Sequence, residues 1–87
     1  MIHKVFAVYD GKAEAYGMPI FLPTIGLALR SFEDQCNNPE SPMAMHPEDY
    51  GLFHLGDYDQ EKGKFMNLEQ PKHLGMALEF TKKSNGG

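Results

Sequence analysis

Eighty-seven residues make one domain, and a chain of this size buries only roughly 60–65% of its unfolded surface on folding. A single cysteine excludes an internal disulfide and points to a reducing compartment, so packing has to supply the stability. The net charge of −4 counts against a domain held to nucleic acid mainly by charge, and no apolar run nears the roughly 20 residues of a membrane span.

The start, MIHKVFAVYD, has no long apolar region or small-residue cleavage site, so no secretory signal is expected. Ile2 to Tyr9 reads instead as a strand, with Ile2, Phe6 and Val8 on one face and Val5, Ala7 and Tyr9 on the other. Apolar residues on both faces predict an interior position. Asp10-Gly11 ends the strand, and Lys12 to Gly17 reads as a polar loop or a single helical turn. Pro19 to Leu22 is a short extended run bracketed by prolines, which confines any strand there to a sheet edge.

Thr24 to Asn37 is the clearest helix. Thr24 suits the N-cap, and Ile25, Ala28, Leu29, Phe32 and Cys36 form one apolar stripe. Asn37-Asn38-Pro39 ends it, because the residue before proline avoids helical geometry. Glu40 to Pro47 reads as a loop. His46 to Pro71 then reads as a β-hairpin, with apolar runs at Leu52–Leu55 and Phe65–Leu68 and with Gly63 supplying the positive φ of a longer turn. Pro71 to Glu79 reads as a short helix opened by proline, although the alternation of Met76, Leu78 and Phe80 also admits a strand.

Together these elements predict an α+β fold: a three- or four-stranded mixed sheet, one main helix on one face and a short C-terminal helix. A strand–helix–strand crossover supplies the parallel part of that sheet. Residues 1–81 form the domain and 82–87 a flexible basic tail.

Charge is unevenly distributed along the chain. No Lys or Arg occurs from Ser31 to Glu61, whereas Lys62, Lys64, Lys72, Lys82 and Lys83 follow against only Glu69 and Glu79. Such a split can orient a domain on a partner with opposite patches, or be an ordinary solvated surface.

Reactive constellations are missing from the pattern. Gly11-Lys12 and Gly63-Lys64 lack the earlier glycine and the following Ser or Thr of a phosphate loop. Asp57, Asp59 and Glu61 fail the calcium-loop spacing, with Lys62 at position six and Leu68 at position twelve. His3, His46, His54 and His73 form no ligand pair, and Cys36 lies on the helix's apolar stripe. Neither an enzyme nor a metal or other cofactor is expected.

Three blocks resemble one family. They are Tyr9-Asp10-Gly11-Lys12-Ala13-Glu14-Ala15-Tyr16; His46-Pro47-Glu48-Asp49-Tyr50 leading into Leu52-Phe53 and Leu55-Gly56; and Pro71 with Leu74-Gly75 and Glu79-Phe80. The family is the small nonstructural protein of gokushoviruses, the microvirus branch of single-stranded DNA bacteriophages, and the likeness spans about residues 2 to 80. The resemblance implies a protein of the host cytoplasm that stays out of the virion, serves viral single-stranded DNA synthesis and brings no catalytic residues.

Two readings follow. In the first, single-stranded DNA lies on the C-terminal third, with Lys62, Lys64, Lys72, Lys82 and Lys83 on phosphates and Phe65 or Tyr58 stacking on bases. The acidic total opposes this, unless a homo-oligomer aligns basic faces. In the second, Tyr9, Tyr16, Met18 and Phe21 anchor a viral or host replication protein. A variant of the second has the module acting on a host factor without touching DNA.

Overall fold

The computed structural model describes residues 1–82. Its elements run β1 (Ile2–Asp10), β2 (Ala15–Tyr16), β3 (Ile20–Leu22), α1 (Ile25–Cys36), α2 (Pro42–Met45), β4 (Tyr50–Asp59), β5 (Lys64–Met76) and α3 (Ala77–Phe80). β1 is interior, as its two apolar faces require. It pairs on one side with β4 and on the other with both β2 and β3, and β5 closes the far edge against β4.

The class is α+β, but the sheet has five strands, and every neighbouring pair is antiparallel. The mixed sheet of three or four strands is thereby corrected. Its missing part is the return along β1, where Tyr16 lies opposite Tyr9 and Phe21 opposite Val5. β2 is too short to show a period and falls in the stretch that reads as loop or helical turn, whereas β3 is the edge run that the bracketing prolines predict. The crossover exists, but it joins β3 to β4. Both run antiparallel to β1, which lies between them.

α1 forms where its sequence predicts. The Leu27 N–H donates to Thr24 Oγ1 at 3.1 Å, and Asn37 is the C-cap. Ala28, Phe32 and Cys36 are buried against Phe6, Leu52 and Ala77, which together make the core. The loop predicted from Glu40 to Pro47 contains the single turn α2, capped by Ser41 Oγ, which accepts from the Met43 N–H.

The helix expected from Pro71 to Glu79 is a second correction, since β5 continues to Met76 and only Ala77–Phe80 is helical. Pro71 is tolerated because β5 is an edge strand. It also sits in an unpaired excursion, between Asn67 opposite Gly56 and Lys72 opposite His54. Gly75 belongs to this strand because the Phe80 ring lies on it: a Cβ there would stand 2.7 Å from Phe80 Cε2. Phe80 in turn meets Phe32 edge to face at 5.6 Å.

Asn37 fastens this C-terminal segment to α1. Its Nδ2 donates to the Glu33 and Phe80 carbonyls at 2.8 and 3.0 Å, and its Oδ1 accepts from the Lys82 N–H at 2.7 Å. Of the predicted tail, Lys82 is therefore tethered through its backbone, and residues 83–87 lie outside the described residues.

Gly63 takes φ +62° in the connection between β4 and β5, the left-handed conformation its place in the hairpin predicts. Gly56 is needed for a different reason. β5 crosses so close that a Cβ at Gly56 would lie 2.5 Å from the Met66 carbonyl oxygen and 2.8 Å from Asn67 Cα.

Phe32→Ala should lower unfolding free energy by about 3–5 kcal/mol in urea titration, because its ring is 3% exposed. Gly56→Ala should cost about 1–3 kcal/mol, since the obstruction is backbone and has little freedom to yield. Burial, with Glu33 second, pushes the Cys36 thiol up to about 11 from 9.0. The stability tied to its neutral form is complete below the lower value and lost as pH rises through the upper one. Native protein should therefore resist iodoacetamide at pH values where the urea-unfolded chain reacts. Equal alkylation rates would show that the thiol is open to solvent.

Candidate binding surface

Register divides the side chains of the sheet between two faces. One carries Phe6, Val8 and Leu52 against α1. The other carries Val5, Ala7 and Tyr9 of β1, with Tyr16, Phe21, Phe53, Tyr58, Phe65 and His73 opposite or beside them. Its aromatics gather into two clusters.

At the first cluster the Tyr9 and Tyr16 rings are 4.8 Å apart, Tyr16 and Phe53 5.5 Å, and Phe53 and His73 5.0 Å. The contacts are tilted or edge to face, the arrangement that ring quadrupoles favour. At the second, Tyr58 meets Phe65 at 4.7 Å and Phe21 at 5.6 Å. Tyr16, Phe21 and Phe65 keep 44%, 42% and 55% of their surface exposed. Val5 and Ala7 fill the sheet between the clusters and are buried.

The paired strand positions of this face hold no Asp or Glu, and their titratable groups besides the tyrosines are His3 and His73; Glu69 lies in the unpaired excursion of β5. Asp10, Asp57 and Asp59 occupy the alternate positions, toward the α1 side. Glu48 and Asp49 stand at the loop end of the first cluster, beside Lys12. The three strand aspartates are thus directed away from the aromatic surface.

The hairpin also undoes the linear charge split. Asp59 lies opposite Lys64 across β4 and β5, and Lys4 Nζ approaches Asp57 Oδ1 at 4.0 Å. Such exposed pairs contribute little stability, but they interleave the two signs in space.

The sequence-predicted residues separate accordingly. Phe65 and Tyr58 come together with Phe21, whereas Lys64 and Lys72 occupy register positions on the opposite face. Lys62 is in the hairpin turn, Lys82 follows α3 with its backbone N–H on the α1 C-cap Asn37, and Lys83 lies outside the described residues. Tyr9, Tyr16 and Phe21 share the aromatic face. Met18, 86% exposed, stands apart from them beside a cavity of about 320 Å³ between the sheet edge and α1.

Phe53 and His73 are members that sequence reasoning did not single out. The signal for Phe53 was its alternation with Leu52; His73 had none, because its strand reads as a helix.

Other titratable groups are arranged structurally. His54 is buried on Phe6, with Nε2 3.0 Å from the Gly56 carbonyl and 3.5 Å from Asp57 Oδ1. Tyr50 is pushed up first by burial, then by the charge of Asp10 and a hydrogen bond to it, then by Asp49. His46, Glu48 and Asp49 bring one donor atom each within 4.8 Å of one another, in a turn where the Asp49 N–H donates to the His46 carbonyl. All three lie at or near the surface, and an exposed acidic turn needs no ion to hold that shape. Among the described residues no helix is long and apolar enough to cross a membrane.

The family described as "Phage ORF5 protein" matches residues 3–80. The chain is similar to Protein ORF5 of Chlamydia phage 1, at 34% identity over an alignment of 68 residues, with 74% of this chain and 71% of that protein covered. No solved structure matches it.

Proposed function

Because this chain belongs to the phage ORF5 protein family of gokushoviruses, we propose that it acts without catalysis in synthesis of the viral single-stranded DNA genome or its switch to packaging. It does so in the host cytoplasm, outside the virion, by holding single-stranded DNA on the aromatic face and by contacting a viral or host replication protein. The observation that carries the DNA contact is that face itself: exposed rings on a sheet whose strand aspartates take the opposite face. Base stacking on aromatic side chains contributes about 1–3 kcal/mol per base and needs no sequence match. It also needs few cations, which suits a chain with a net charge of −4.

A second reading is favoured by Met18. An exposed methionine beside an apolar cavity suits contact with a protein, and such contact does not require DNA. In that case the protein is a host-directed module that modulates its partner by occupancy alone.

The chain has no Trp, and three of its four Tyr lie on the aromatic face, so intrinsic emission reports stacking directly. Titration with a single-stranded oligonucleotide should quench that emission and raise the anisotropy of a labelled strand. Salt dependence should be shallow, since each neutralised phosphate adds only about 0.7 to the logarithmic slope and few lysines border the face. Tyr16→Ala should weaken binding about 5- to 10-fold. An unchanged anisotropy at micromolar protein in low salt removes the DNA contact. Met18→Ala should reduce recovery of a replication protein in pull-downs while leaving oligonucleotide affinity unaltered.

A further inference from the structure

At the hairpin-turn end, the aromatic face forms a hollow. His3, Tyr58 and Phe65 stand side by side across β1, β4 and β5, since Tyr58 is opposite both His3 and Phe65. Phe21 of β3, opposite Val5, borders this row toward the middle of the sheet. Its ring meets Tyr58 at 5.6 Å and Phe65 at 6.2 Å. Gln60, just past the end of β4, closes the hollow on the turn side. These residues line a cavity of about 350 Å³, within the range of about 300–1,000 Å³ usual for small-ligand sites.

The lining has a particular chemistry. Three members offer aromatic rings, the other two are a neutral amide and an imidazole, and none is acidic. A nucleobase fits that set, because it presents a flat π-surface to rings and a rim of donors and acceptors to polar side chains. The hollow at the other end of the face differs in kind, with Glu48 and Asp49 beside Tyr9 and Phe53, so carboxylates oppose a strand there. Backbone bonds, not its side chain, fix Gln60. Its N–H donates to the Met1 carbonyl at 3.0 Å, and Asp59 Oδ1 accepts from the Glu61 and Lys62 N–H groups that follow, at 2.9 and 3.3 Å.

We propose that this hollow is a base-reading subsite that takes one adenine of a single strand, with Phe21, Tyr58 and Phe65 stacking on the base and Gln60 recognising its edge. An amide offers a donor and an acceptor side by side, and adenine presents the complementary pair at N7 and its N6 amino group. On the same edge guanine offers two acceptors, and thymine one acceptor beside a methyl group. His3 adds a ring nitrogen to the rim on the β1 side. This inference rests on the single-strand reading above. It adds one position that discriminates among bases to a face whose stacking elsewhere is sequence-tolerant.

The test titrates the full chain against labelled oligothymidylates of about ten nucleotides, either all thymine or with one central adenine, guanine or cytosine. One adenine should tighten binding about 5-fold or more by anisotropy, and a second should add little because only one base is held. Gln60→Leu removes the amide at an exposed position, so the variant should stay folded by circular dichroism. It should erase the adenine gain while leaving affinity for the all-thymine strand within about 2-fold. Tyr16→Ala, outside the hollow, should weaken every strand alike and keep the ratio. Equal affinity for all four strands, a preference for guanine or cytosine, or an adenine gain that survives Gln60→Leu overturns the base-reading subsite and leaves single-strand binding intact. Absence of binding to every strand overturns both.

Discussion

The packing of α1 on Phe6 and Leu52 is the contact from which the other arrangements follow. A chain of 87 residues with one substantial helix can cover only one face of a five-stranded sheet. Ala28, Phe32 and Cys36 are spent on that face, and α3 and Asn37 seal its end. The opposite face has to shield its own backbone, and it does so with aromatic rings leaning on one another. Those rings are consequently half-exposed, and a half-exposed ring on a rigid strand is ready to stack.

The same constraint sorts the charges. Strand positions that pair across β1, β4 and β5 alternate strictly, apart from local register shifts, so carboxylates at Asp10, Asp57 and Asp59 fall together on the α1 side. Net charge is therefore a poor guide to what the aromatic face meets. An acidic protein can offer a locally neutral, ring-bearing surface, and the proposed strand contact depends on that distinction.

Much of the scaffold is legible in the residues. The N-cap at Thr24, the stripe through Phe32, the interior character of β1 and the turn glycine at Gly63 each follow from one local rule, and each is present. The readings that changed are those where local rules conflict. Pro71 opens helices and also suits edge strands, and only its place on β5 decides between them. Met76, Leu78 and Phe80 alternate, yet Met76 ends a strand and Phe80 closes a helical turn over Gly75.

The sequence by itself determined the α+β class, with a capped amphipathic helix and a glycine-closed hairpin, because capping, periodicity and turn chemistry act within a few residues. It also marked Tyr9, Tyr16, Phe21, Tyr58 and Phe65 as candidates. Only the tertiary structure decided that these rings lie on one face, that Phe53 and His73 join them, and that Lys64 and Lys72 do not. Which side chains share a face depends on strand register, and register is set by pairing between residues as far apart in sequence as Ile2 and Asp59, which no local pattern encodes.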